Sequence, residues 1–511
     1  MKIRKKIVAF LAVCLCFVTS LSLFGGCFVK AKKPLDEEME AVLKNVDFNA
    51  GLNYKGKLNI LVVDMQDHWD VINAFVDDFK QKYAGIEVTV KGSDSLVSQV
   101  ITDHGAATLT GKYGDMPDVI WIANEDIPQM VNADAVMPID YFDAADENWD
   151  TSKLVPAMVK DCYFDEHMYM MPRDYNQIAM LYNKKMFALA KQEGYNVKSP
   201  DEFLDADGNI RAMNREEFTQ VAKEMNKWML ETKLKNSNDA SYNSGSAVEL
   251  KGSWLSLMSG IAANFGADLI GESGTATLTS DATVEMFKYL VEMVYNGVFY
   301  ANSQNGYDKF AAEQAAMCFE SRACLTAVTT KNNARNGVYA DLAAAPMPCL
   351  GNEDNYVVGT GCSGYAMYRK AQHPTEAWLF LKNLVKEDAQ NAFCGSGNGV
   401  PVLSSLLNDS EAVWRNIKTE NPTKFGNLDE NFCHDAFVYR TDRAATIGLK
   451  NNVPFKAYAK VCQSMSSVFL QLMDNSVVAN GDPTSESTVQ NIKNKLRGFR
   501  NDINNLIKAN S

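Results

Sequence analysis

Lys57 to Val63 is a nearly continuous apolar run, His68 to Tyr83 carries Val71, Ile72, Phe75, Val76 and Phe79 on one stripe, and Ile86 to Val90 is again apolar. A short apolar run reads as a strand, and a stripe at three- and four-residue spacing as a helix. Strand, helix and strand in that order make one right-handed crossover, the unit of a parallel sheet with helices on its faces. The first lobe is therefore expected to be α/β. A helix around Leu96 to Leu109, a strand at Asp118 to Ala123 and a helical turn at Asp126 to Val131 continue it. Beyond Pro172 a second series begins, with a strand at Ile178 to Tyr182 and a helix opening at Asn183. Asn214 with Glu217 three residues on is a capping-box pattern before the amphipathic run Phe218, Val221, Ala222, Met225, Trp228. A chain of 511 residues with 46% hydrophobic and 22% charged residues is too long for one ordinary core, so two domains are expected.

The amino-terminal end reads as an export signal: Lys2, Arg4, Lys5 and Lys6, an apolar run from Ile7 to Phe24, then Gly25-Gly26-Cys27. The segment resembles a bacterial lipobox, with Phe24 where that pattern usually has Leu. Cleavage before Cys27, with lipid on its thiol and new amino terminus, would supply the two or more acyl chains that stable anchoring requires. An uncleaved anchor helix is the alternative. The expected organisation is thus a signal at 1–26 and a tether at 27–54, on the outer face of the cell membrane. Net charge is −13, and loss of the leader's four cations makes it about −17, which argues against nucleic acid as a partner. Of eleven cysteines, eight lie in the body: Cys162, Cys318, Cys324, Cys349, Cys362, Cys394, Cys433 and Cys462. No C-x-x-C pair suggests zinc, the spacing specifies no disulfide, and buried thiols are the simpler expectation.

Several motifs in order resemble the extracellular solute-binding proteins that include the maltose- and multiple-sugar-binding proteins of ABC importers. They are Leu61 to Phe79 with Gly85-Ile86-Glu87-Val88, Pro117-Asp118-Val119-Ile120-Trp121, and Asn132 to Asp140. The most telling is Pro172 with Leu181-Tyr182-Asn183-Lys184-Lys185-Met186-Phe187. Phe310 to Met317 follows, with Glu313-Gln314 where the family usually has Gly-Lys, then Pro346-Met347-Pro348, Gly361 to Met367, Pro374 to Leu384 and Gly399-Val400-Pro401. The resemblance implies a type II periplasmic-binding-protein fold, two α/β lobes with an interlobe cleft and hinge. Residues 55–172 plus 350–396 are expected in lobe 1 and 173–349 plus 397–511 in lobe 2. Crossings are expected near Met170 to Ile178, Ala344 to Leu350 and Gly395 to Val400.

Sugars offer apolar C–H faces and many hydroxyls, so their sites combine aromatic rings with carboxylates, amides and arginines. Asp67 and Trp69, between the first strand and its helix, are candidates as acceptor and stacking ring, with helix capping and packing as alternatives. Trp121 and Asn124 end the third strand. Asp174 as acceptor and Tyr175 as platform precede the hinge strand, where the resemblance places ligand contacts. Trp254, Glu320, Arg322 and Ser363 complete the set. Asp205 to Glu216 follows calcium-loop spacing, but Ile210 stands where that loop needs Gly, and a hairpin turn at Asp207-Gly208 is simpler; no metal and no cofactor are expected. No H-E-x-x-H, G-x-S-x-G or P-loop motif appears, so no catalysis is expected, although two acids across a cleft would suit a glycosidase. The implied function is capture of a saccharide for the membrane permease of an ABC importer, by a lipid-anchored monomer. A polyamine, polyol phosphate or peptide as ligand, or a surface adhesin or sensor component without transport, are the alternatives.

Overall fold

The computed structural model describes residues 36–233, 245–271, 273–334, 341–445 and 455–510; the leader and the Cys27 lipidation position lie outside the described residues. Helix α1 (Glu37–Lys44) opens the chain, capped by the Asp36 carboxylate, which accepts from Met39 N at 2.9 Å. This corrects the expected tether from Asp36 onward. Met39, Val42, Leu43 and Phe48 pack against the first core, Val46 is buried in it, and Arg369 binds the carboxylates of Asp36, Glu38 and Asp134. Met39, Val42, Leu43 and Val46 recur at helical spacing, a stripe that the surrounding charges obscure.

The expected crossover forms as β1 (Gly56–Val63), α2 (Gln66–Lys82) and β2 (Ile86–Ser93), with β1 and β2 parallel. Then come α3 (Leu96–Thr110), β3 (Val119–Ala123), parallel to β1, and α4 (Ile127–Asn132). A ribbon of β4 (Tyr163–Phe164) and β5 (His167–Met168) leads to β6 (Met171–Pro172), the last strand of the first sheet before the chain crosses.

The second lobe runs β7 (Asn176–Asn183), α5 (Lys184–Gln192), α6 (Arg215–Trp228), β8 (Ser246–Lys251), α7 (Leu255–Asn264) and α8 (Asp281–Tyr295). It continues with β9 (Phe299–Asn302), β10 (Ala315–Ser321), α9 (Leu325–Ala334), β11 (Leu342–Pro346) and β12 (Val358–Gly361). Cys362 alone separates β12 from β13 (Ser363–Met367), which returns to the first sheet. Helices α10 (Pro374–Leu384) and α11 (Glu387–Gly395) cover that lobe. The chain ends through β14 (Ala444–Ala445) with α12 (Phe455–Leu472) and α13 (Glu486–Ala509) packed into the second core.

The first sheet has the order β2-β1-β3-β13-β6 and the second β14-β12-β7-β10-β8-β9, with β11 also paired to β7. Ile178, Met180 and Tyr182 of β7 enter one core while Ala179 and Leu181 enter the other. A sheet buried on both faces explains why β7 reads as an unbroken apolar run rather than an alternating one. The expected crossing near Ala344 to Leu350 is corrected to Cys362, so residues 350–361 belong with the second sheet. Four-residue β12 owes its strand character to partners far along the chain, Asn176-Gln177 and Ala444-Ala445. After α11, Val400 pairs with Tyr175 and Leu403 with Leu154. The following segment buries Trp414, Phe425 and Phe437 in the core shared with the first lobe.

The capping box forms as expected: Asn214 Oδ1 accepts from Glu217 N at 3.0 Å, and Asn214 N donates to Glu217 Oε2 at 2.9 Å. In the calcium-like stretch, Asp205 Oδ1 accepts the N–H groups of Asp207 and Asn209 (2.9 and 2.8 Å), and Gly208 takes φ 87°, the geometry of a tight turn.

Candidate functional site

In α/β folds the loops that follow the carboxyl ends of parallel strands are the ones that hold ligands. Strands β1 and β3 of the first lobe end at Val63 and Ala123, and β8 and β10 of the second end at Lys251 and Ser321. The crossing peptides join those same edges: Ser363 pairs with Ala123, Gly361 with Asn176, and Ser321 with Ile178. The two ligand-type edges therefore face one another across the hinge, and α4 of one lobe touches α12 of the other.

On the first edge, Trp69 donates its indole N–H to Asp64 Oδ1 at 2.7 Å, which fixes a half-buried ring beside the end of β1. The Asp67 backbone lies in the first turn of α2, and its side chain is outside the described residues. His68 meets Trp121 edge-to-face with centroids 4.6 Å apart. Trp121 is half-buried, and its indole N–H has no hydrogen-bond partner among the described residues. Asn124 is 1% exposed; its N–H donates to Cys362 O at 3.0 Å and its Oδ1 accepts from Cys362 N at 3.2 Å. Its Nδ2 has no such partner. Burial, reinforced by the neighbouring Glu125 charge, pushes the Asp126 carboxyl up, although Asp126 accepts from Ala123 N at 3.1 Å.

The hinge side chains are corrected from ligand contacts to internal fastenings. Asp174, expected as acceptor, is fully buried and takes Arg173 Nη2 at 3.1 Å, Ser363 N at 3.3 Å and Ser363 Oγ at 3.2 Å. Ser363 is thereby spent on Asp174. Tyr175, expected as platform, is also buried; its hydroxyl donates to Gln177 Oε1 at 3.0 Å and its backbone pairs both ways with Val400. Crossing strands are covered on both sides, so their polar groups must bond within the protein. Asn176 Oδ1 is an exception that sequence reasoning missed: a buried acceptor with no partner among the described residues.

On the second edge, Trp254 is half-buried at the start of α7 and packs on the second core. Helix α7 lies directly on β12 through two glycines: a Cβ on Gly359 would fall 2.2 Å from Ser256 O, and one on Gly260 2.6 Å from Gly359 N. Arg322 is corrected as well. It is fully buried and donates to the carbonyls of Cys394 (2.9 Å), Asn398 (2.7 Å), Gly399 and Trp414 (2.6 Å), tying the end of β10 to the chain after α11. Glu320 lies buried against Gly306, and burial pushes its carboxyl up to about 7 despite the pull of Lys251. Glu249, also missed, accepts from Lys309 N, Phe310 N and Asn302 Nδ2, and burial likewise pushes it up to about 7. A lone Glu within the apolar run of β8 was the available signal.

Asn124 and Asn176 thus bring a donor and an acceptor without partners among the described residues to the crossing strands, and Trp121 adds a second such donor beside His68 in the first lobe. An unmade hydrogen bond at a buried group costs about 1–3 kcal/mol, so each is poised to gain from a polar ligand.

Solved structures share this architecture. A substrate-binding protein from Listeria monocytogenes in complex with cycloalternan is 15% identical, covers 88% of this chain and 99% of its own, and gives a TM-score of 0.64. Maltose-bound MalE3 from T. maritima is 14% identical over 87% and 99%, with a TM-score of 0.59. UgpB from Mycobacterium tuberculosis, in complex with glycerophosphocholine, is 17% identical over 88% and 100%, with a TM-score of 0.60. At such identities the likeness shows the fold, the type II arrangement of two α/β lobes. No curated protein sequence matches the chain. Residues 74–421, more than half of the chain, match the family model of the bacterial extracellular solute-binding proteins, and the protein belongs to that family.

Proposed function

We propose that the protein captures a sugar or oligosaccharide between its lobes and delivers it to the permease of an ABC importer, without catalysing a reaction on it. The observation that carries this reading is the set of buried groups without partners among the described residues, Asn124 Nδ2 and Asn176 Oδ1 at the crossing strands and Trp121 Nε1 in the first lobe. A hydroxyl both donates and accepts, so a polyhydroxylated ligand suits such a mixed set. Trp69, Trp121 and Trp254 supply rings for the apolar sugar faces, and Glu320 a carboxyl on the opposite edge. A ligand that touches both lobes stabilises their closed arrangement, the form a permease recognises.

Export with lipid on Cys27 is part of the same proposal, since the leader carries the charged, apolar, small-residue order of a lipoprotein signal. No helix among the described residues is long and apolar enough to cross a membrane. The anchored protein acts as a monomer facing outward. Intact mass of the native amino terminus tests the anchor: a diacylated Cys27 is expected, and a retained leader would overturn it.

A thermal-shift screen tests the ligand. A saccharide at a hundred times its Kd is expected to stabilise the protein by about 2.7 kcal/mol. A shift with glycerophosphodiesters, polyamines or peptides alone would overturn the sugar reading.

A further inference from the structure

We propose that Cys162 and Cys362 form a modification site: a dithiol that closes to a disulfide and fastens the crossing strand to the first lobe. Their sulfurs lie 3.8 Å apart although the residues are 200 positions apart in the chain. Cys162 is fully buried in the first lobe, where its carbonyl accepts from Tyr169 N at 3.0 Å. Cys362 is the single residue between β12 and β13, the point at which the chain passes from the second sheet to the first. Both its backbone groups are held by Asn124, so the thiol is presented to Cys162 in a fixed orientation.

A disulfide needs the sulfurs to close from 3.8 Å to about 2.05 Å. The oxidant is a low-molecular-weight disulfide, and extracellular proteins meet an environment in which disulfides persist. The Cys362 thiol, 4% exposed against 0% for Cys162, loses its proton and attacks one sulfur of the reagent. A mixed disulfide forms and one reagent thiol leaves. The Cys162 thiolate then attacks the Cys362 sulfur and expels the second reagent thiol. Two protein thiols are oxidised by two electrons, and the reagent disulfide is reduced to two thiols. Access to Cys362 requires the hinge to open locally, which sets the rate of the first step.

The consequence is mechanical. With Cys362 bonded to the first lobe, motion at this crossing is confined to β12, on the second-sheet side of the fastening. A cross-link between positions so distant also restricts the unfolded chain.

The test is incubation of the full-length protein with glutathione disulfide, quenching with iodoacetamide under denaturing conditions, digestion and mass spectrometry. The expected product is a peptide pair linking Cys162 to Cys362, with both residues lost from the alkylated pool and restored by dithiothreitol. The thermal midpoint rises by several degrees on oxidation. Cys162→Ala is expected to abolish the linked pair and leave Cys362 as a glutathione mixed disulfide. Full alkylation of both residues after oxidation of the wild type, or a linked peptide joining either one to a different cysteine, would overturn the proposal.

Discussion

Glu320→Gln is expected to stabilise the protein above neutral pH and to change little in mild acid. The Glu320 carboxyl is buried at the end of β10, and its value is pushed from 4.5 up to about 7, chiefly by burial. A rise of roughly 2.5 units, at about 1.36 kcal/mol each, corresponds to about 3 kcal/mol. A raised carboxyl binds its proton more tightly in the folded state than in the unfolded one. Stability is therefore greatest below about pH 4.5, falls as pH rises between the two values and is flat above about 7. Gln keeps the shape and removes the charge. Urea unfolding followed by tryptophan fluorescence should show the variant within about 1 kcal/mol of wild type at pH 5 and about 3 kcal/mol more stable at pH 8. Glu249 titrates in the same range and its charge adds to the rise at Glu320, so the difference between the two proteins reads Glu320 together with that repulsion. A difference that stays constant from pH 5 to pH 8 would refute the argument, because the carboxyl would not then be changing charge in the fold.

Trp121→Phe removes the unsatisfied indole N–H; the unliganded protein is expected to gain about 1 kcal/mol while saccharide affinity falls, both read from thermal-shift titrations. Unchanged affinity would remove Trp121 from the site. Arg322→Met leaves four buried carbonyls without their donor and should cost on the order of 3 kcal/mol in urea unfolding; normal stability with lost ligand response would return Arg322 to the ligand. Gly359→Ala sets a Cβ 2.2 Å from a backbone oxygen of α7, so a loss of at least 1–3 kcal/mol is expected, and a wild-type midpoint would show that helix and strand can part cheaply.

The local elements were legible because their signals are local. The β1-α2-β2 crossover and the Asn214 cap each depend on residues a few positions apart, and β7 followed by α5 stands in a motif that the resemblance located. Two α/β lobes with a hinge followed from the same evidence. The candidate site was legible only in part. Trp69 and Asn124 follow the ends of β1 and β3 as the strand-end argument placed them, Trp121 lies mid-strand in β3, Trp254 opens α7 as read, and Glu320 is the penultimate residue of β10. Asp174, Tyr175, Arg322 and Ser363 were polar residues in the right stretch with the wrong partners in view. Asp174 is satisfied by Ser363, 189 positions away, and Arg322 by carbonyls at 394, 398, 399 and 414.

The residues alone were enough to read most strands and helices, the parallel β1-α2-β2 crossover and the family that the chain joins. Those properties rest on periodicity, capping and motif order over short separations. Tertiary structure decided where the chain crosses between lobes, that residues 36–54 dock rather than hang free, and that Cys162 meets Cys362 at the hinge. It also decided which polar groups are bonded within the protein and which find no partner among the described residues. A polar side chain carries the same capacity for hydrogen bonds wherever it stands, and only the packing of distant strands determines whether another residue has already used it.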